Sequence, residues 1–107
     1  MTVEATPETF ESLVAEGNVL VDFWGPRCQP CLALMPAVEA LEESYDSRLK
    51  LVKVNAPDNR QVCRDLHVFG LPTYVLYRDG SEVDRLTGDP SKADIEAAVR
   101  QLVEGGE

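Results

Sequence analysis

Apolar and polar positions along this chain repeat with two different periods, and the switches between them mark out its elements. Val19-Leu20-Val21-Asp22-Phe23-Trp24 is apolar at five of six positions, which predicts a strand covered on both faces, as strands of parallel sheets are. From Cys31 onward the period turns helical, with Leu34, Val38, Leu41 and Tyr45 on one face, so a helix is expected over residues 31–45. Pro36 removes a bond to the carbonyl of Leu32 and should kink that helix. Residues 49–55 read as a second buried strand interrupted by Lys53, and residues 58–66 as a short helix. Residues 73–77 and 81–87 then flank Asp79-Gly80, a strong hairpin turn signal, with Gly88 closing the sheet.

The two ends follow the same logic. Val3-Glu4-Ala5 reads as a short edge strand; Thr6 is placed as an N-cap with Pro7 at N1, Phe10, Leu13 and Val14 form an apolar face, and Gly17-Asn18 stops the helix. Ser91 with Asp94 three residues on is an N-cap arrangement, and Ile95, Ala98, Val99 and Leu102 supply the stripe of a last helix ending at Gly105-Gly106. Strands separated by helices, then a hairpin, then a helix imply an α/β domain, a mixed sheet with helices on both faces.

Composition narrows the function classes. At 107 residues the expectation is one domain, 1–107, with a real core and no room for a second. A net charge of −9 argues against nucleic acid and anionic membranes as partners, and no run of about 18 apolar residues is present to span a bilayer. Glu4, Glu8, Glu11 and Glu16 occupy the region where a secretory leader would be basic and then apolar. The cytoplasm is therefore the expected compartment, although a chain trimmed of a leader would look the same, and a monomer is the expected state. The three cysteines are an odd count, and in the cytoplasm the pair Cys28 and Cys31 reads as catalytic or metal-binding before structural.

That pair lies where a strand hands over to a helix. Unpaired backbone N–H groups and the positive end of the helix dipole favour a thiolate on Cys28, and only the thiolate attacks sulfur. Cys31, one turn further in, is expected to be less exposed and placed to attack a mixed disulfide held on Cys28. Pro30 suits the first helical turn, where its missing N–H costs no bond.

Asp22-Phe23-Trp24, then Cys28-x-Pro30-Cys31, Pro36 five residues later and Gly70-Leu71-Pro72-Thr73 beyond it together resemble the thioredoxin family. The likeness runs in order over nearly the whole chain, and it is specific because several separated features must coincide. It implies the thioredoxin fold, with a four- or five-stranded mixed sheet flanked by helices, and reversible dithiol–disulfide exchange with protein substrates. By the same carry-over Pro72 follows a cis peptide bond and faces the two sulfurs. The resemblance implies a protein-disulfide reductase that needs no cofactor beyond its own cysteines and is recycled by a NADPH-dependent thioredoxin reductase. Substrate is expected along Leu71-Pro72, with Trp24, Arg27, Gln29, Pro30 and Gly88 completing the contact surface. Alternatives are a thioredoxin-like binding or chaperone module, and a disulfide isomerase or oxidase.

Asp22 and Lys53 are ionisable residues in apolar surroundings. One reading is a structural buried pair, or side chains turned to solvent. The functional reading, which matches thioredoxin positions, is that burial raises the pKa of Asp22, which accepts the proton of Cys31 while Lys53 tunes it. Trp24 is expected to serve as both core and site wall.

Three positions depart from the family pattern. Arg27 stands where a second Trp usually precedes the first cysteine, Gln29 where Gly separates the cysteines, and Leu32 where Lys is common. A guanidinium beside Cys28 favours its thiolate, and one pKa unit is worth about 1.4 kcal/mol, or about 30 mV of two-electron potential. The expectation is a reductant modestly less reducing than the ordinary thioredoxin value of about −270 mV. Cys63 is expected to be a small buried hydrophobe, with a regulatory thiol as the other reading. Cys63-x-x-x-His67 could complete four zinc-type ligands with the first pair, but it lacks the tight knuckle around it, so no metal is expected and His67 is read as a helix-end or surface residue.

Overall fold

The computed structural model describes residues 2–106. In chain order they form β1 (Thr2–Glu4), α1 (Phe10–Leu13), β2 (Asn18–Trp24), α2 (Gln29–Tyr45), β3 (Lys50–Asn55), α3 (Arg60–Asp65), β4 (Thr73–Arg78), β5 (Ser81–Leu86) and α4 (Lys92–Glu104). The five strands make one mixed sheet of order β1-β3-β2-β4-β5, parallel on the β1-β3-β2 side and antiparallel across β4 and β5. This is the α/β architecture expected from the alternation of elements.

Burial explains the patterns. β2 is central, and Val19 to Phe23 are fully enclosed, so its near-continuous apolar run is that of a strand with both faces covered. One face packs Val19, Val21, Phe23, Val52 and Val54 against Phe10 and Val14 of the α1 region and Val62 of α3. The other packs Leu20, Leu51, Tyr74 and Leu76 against Val38 of α2 and Ile95, Val99 and Leu102 of α4. Leu34, Leu41 and Tyr45 pack on that second cluster too, so the predicted stripe of α2 is the one that is used.

Several boundaries differ from the sequence expectation, each for a local reason. The first helix does not start at Thr6: the Thr6 N–H donates to Thr9 Oγ1 at 2.8 Å, and the Thr6 carbonyl accepts from Thr9 and Phe10 N–H. The Thr6 carbonyl thus already accepts one bond of helical spacing, from Phe10, but the helix proper begins at Phe10. α2 begins at Gln29 and not at Cys31, because the two preceding residues are exposed and leave no mark on the apolar period. Helical structure continues through Pro36, which like Leu32 lies on the exposed side where water can reach the freed carbonyl. Before α3 a separate 3₁₀ turn occupies Ala56–Asp58, and buried Asn59 donates from Nδ2 to the Asn55 carbonyl, so the helix proper is shorter than 58–66.

The turn and cap signals are realised as read. Asp79 and Gly80 both have positive φ, 49° and 87°, the conformation of a type I′ hairpin turn whose twist matches the flanking strands. In α4 the Ser91 side chain accepts from the Asp94 N–H while the Asp94 carboxylate accepts from the Ser91 N–H, a complete capping box. Among the described residues no helix is long and apolar enough to cross a membrane.

Candidate active site

The backbone leaves β2 at Trp24 and turns before entering α2, with the Cys28 N–H donating to the Gly25 carbonyl at 3.0 Å. Cys28 is the N-cap of α2 in extended conformation, and its Sγ accepts from the Cys31 N–H at 3.2 Å. One of the orphan donors of the helix start is thereby aimed at sulfur, which favours negative charge there. Cys28 and Cys31 are joined in a disulfide with Cα atoms 5.3 Å apart. Their environments differ: Cys31 is fully buried, while Cys28 is half-buried and lines a hollow of about 500 Å³ with Arg27, Pro57 and Leu71. Gly25 also lines it, and a Cβ there would lie 3.2 Å from Leu71 Cδ1, so glycine keeps the two walls close.

Leu71-Pro72 is joined by a cis peptide bond. Leu71 shares the hollow with Cys28, and Pro72, the residue before β4, is buried. Gln29 and Pro30 are exposed on the first turn of α2. Trp24 lies elsewhere: its ring is half-buried, Nε1 donates to Glu4 Oε1 at 3.3 Å, and it lines a separate depression with Glu4, Asn55 and Asp58. Gly88, with φ 82°, is exposed beyond β5 and is not among the residues lining the hollow.

Register sets four polar side chains in one transverse row. Glu4 pairs with Lys53, Lys53 with Asp22, and Asp22 with Tyr74, across β1, β3, β2 and β4 in turn. Residues directly opposite in register point to the same side of a sheet, here the face covered by α2 and α4. Asp22 is fully buried, neither carboxylate oxygen has a hydrogen-bond partner among the described residues, and burial raises its pKa from 3.8 to about 7 against the opposing pull of the Lys53 charge. Lys53 pairs with Glu39 of α2 and makes no hydrogen bond to Asp22, so a closed Asp22–Lys53 pair is not what the structure contains. Tyr74 is the residue of this row that the sequence pattern conceals. Its hydroxyl is buried without a hydrogen-bond partner among the described residues, and burial together with the Asp22 charge raises its pKa, so it is a neutral phenol at neutral pH. A tyrosine within an apolar strand reads as core, and only the register places it opposite Asp22.

Cys63 is buried and unbridged on α3, and desolvation raises its pKa. His67 is exposed after α3, edge-on to Phe69 with ring centroids 5.9 Å apart. Among the described residues no three His, Cys, Asp or Glu side chains gather to hold a metal ion.

A bonded sulfur pair at a helix start, one sulfur at an open hollow and the other enclosed, defines the class of thiol–disulfide oxidoreductases built on a mixed sheet. Comparison with known proteins agrees. The thioredoxin family model matches residues 1–101. The thioredoxin of Acetoanaerobium sticklandii is 38% identical over 103 residues, covering 94% of this chain and 98% of that one. The thioredoxin of Bacillus subtilis is 32% identical over 99 residues, covering 92% and 95%. The solved structure of Malassezia sympodialis thioredoxin superposes with a TM-score of 0.88 over 95% of this chain and 93% of that one; at 21% identity this shows the shared fold. The chain belongs to the thioredoxin family and is a protein-disulfide oxidoreductase.

Proposed function

We propose that this protein is an atypical thioredoxin, with Gln29 and Pro30 between its cysteines, that reduces disulfides of protein substrates as a single-domain monomer. In the reduced state the Cys28 thiolate attacks one sulfur of a substrate disulfide. A Cys28–substrate bond forms, the substrate S–S bond breaks, and the departing sulfur takes up a proton. Cys31 then gives its proton to Asp22, directly or through water, and its thiolate attacks Cys28 Sγ. The internal disulfide forms and the second substrate sulfur leaves as a thiolate; the protein has given the substrate two electrons, and the two protons that complete its thiols come one from solvent and one from Cys31 by way of Asp22. Asp22 suits this role because burial lifts its pKa to about 7, near the working range of a general base. Lys53, its register partner, tunes it through charge.

The observation that carries the reading is the bonded Cys28–Cys31 pair with only Cys28 facing the hollow. Substrate lies along Leu71 and Pro72, with Arg27 in the same hollow and Gln29 and Pro30 exposed beside it; Trp24 and Gly88, which do not line the hollow, bound a wider contact surface. The protein carries its redox centre in its own side chains and uses no other cofactor. A NADPH-dependent thioredoxin reductase restores the dithiol, and the cytoplasm is the compartment, which suits a chain that keeps Cys63 as a free thiol.

The test is Cys31→Ser. This variant should accumulate a mixed disulfide with a protein substrate, while the parent protein turns over a disulfide substrate with dithiothreitol. No adduct and no turnover would replace the reductase by a binding module.

A further inference from the structure

The chain carries 19 acidic residues against 10 basic ones, yet the described residues that line the hollow of its reactive sulfur include an arginine and no carboxylate. The hollow beside Cys28 shares Pro57 and Leu71 with a second groove, of about 440 Å³, that runs along α3 to Phe69. Three arginines line the two, Arg27 in the hollow and Arg60 and Arg64 in the groove, and no carboxylate is among the described residues lining either. Neither Arg27 nor Arg60 enters an ion pair among the described residues, and Arg64 donates to the neutral Gln61 side chain at 3.1 Å. The depression beside Trp24, by contrast, carries Glu4 and Asp58 and no arginine or lysine among its described lining residues. The groove is otherwise apolar, and Phe69 at its rim is 80% exposed with its ring against His67. An aromatic side chain held in water at such exposure is a ready contact for an apolar partner group.

We infer that this groove selects partner segments that carry carboxylates and an apolar side chain beside their disulfide, the arginines meeting the carboxylates and Phe69 the apolar group. The inference rests on the reductase reading above and names the substrate class of the same site. Charge complementarity of this kind acts on encounter and discrimination more than on the chemical step. It also runs against the whole-molecule charge, which by itself steers basic peptides toward the protein.

Two synthetic peptides test it. Each has one internal disulfide and the same apolar residues; one is flanked by Asp and Glu, the other by Lys and Arg. Each is mixed with pre-reduced protein, and oxidation of the protein is followed by acid quench and thiol alkylation. The acidic peptide should react faster by on the order of three- to tenfold at low salt, and the ratio should fall toward one as salt screens the charges. The double variant Arg60→Glu/Arg64→Glu should invert the preference. Equal rates with the parent protein, or faster reaction of the basic peptide, overturn the inference alone; so does a preference that the double variant leaves in place. No exchange with either peptide overturns the reductase reading, and the inference with it.

Discussion

Asp22 concentrates the chemistry of the site in one residue. Its carboxylate is fully buried with no hydrogen-bond partner among the described residues, and burial raises its pKa to about 7, in the range of a general base at neutral pH. If Asp22 accepts the proton of Cys31, Asp22→Asn should slow resolution of the mixed disulfide by on the order of 10- to 100-fold, with little change in its formation. The parent's resolution rate should climb with pH through about 7 as the base form appears. Rapid-quench measurement of the two steps checks this, and equal slowing of both would remove the base role. Tyr74, opposite Asp22 in register, gives a second test at this scale. A buried hydroxyl without a partner loses its hydration and gains nothing in return, so Tyr74→Phe should raise stability by about 1 kcal/mol in urea unfolding. Asp22 stood out in the sequence as a charge inside an apolar run, whereas Tyr74 did not, because phenol and strand core share one pattern.

Elements were legible where their ends carry specific side-chain chemistry. The Ser91–Asp94 box and the Asp79-Gly80 turn have side chains that bond or relieve the backbone at fixed offsets, and both appear as expected. Ser91→Ala should cost about 1 kcal/mol of stability by leaving the Asp94 N–H without its acceptor. The Asp94 pKa is lowered by its bonds to Ser91, so that carboxylate's contribution to the helix start is present above its ordinary 3.8 and lost as pH falls below it. Thermal melts of parent and variant should therefore both fall as pH drops below 3.8, while the gap between them, which rests on the neutral Ser91 hydroxyl, persists. The start of α1 and the start of α2 were misjudged for a common reason. At both, the residues beside the start, Thr6 to Thr9 and Gln29 to Pro30, are exposed and leave no mark on the apolar period.

For the whole molecule, one buried acid shapes the dependence of stability on pH. The folded chain keeps the Asp22 proton to about pH 7, while the unfolded chain gives it up near 3.8. Between those values the folded state binds the extra proton, so stability falls as pH rises, by about 1.4 kcal/mol per unit at most and roughly 4 kcal/mol across the window. Urea titrations from pH 4 to pH 8 should show this decline, and Asp22→Asn should flatten it and exceed the parent in stability at pH 8. The sequence by itself determined the order of strands and helices, the apolar faces that make the two core layers, the paired cysteines at a strand–helix junction and the family they signal. Those follow from local rules: side-chain period, turn conformations and the spacing of two thiols along a few residues. Tertiary structure alone decided that Glu4, Lys53, Asp22 and Tyr74 share one row, that Lys53 pairs with Glu39, and that Arg60 and Arg64 line a groove adjoining the hollow of Cys28. Each of those depends on strand register and loop packing between residues far apart in the chain, and charge or period along the sequence carries no trace of such distances.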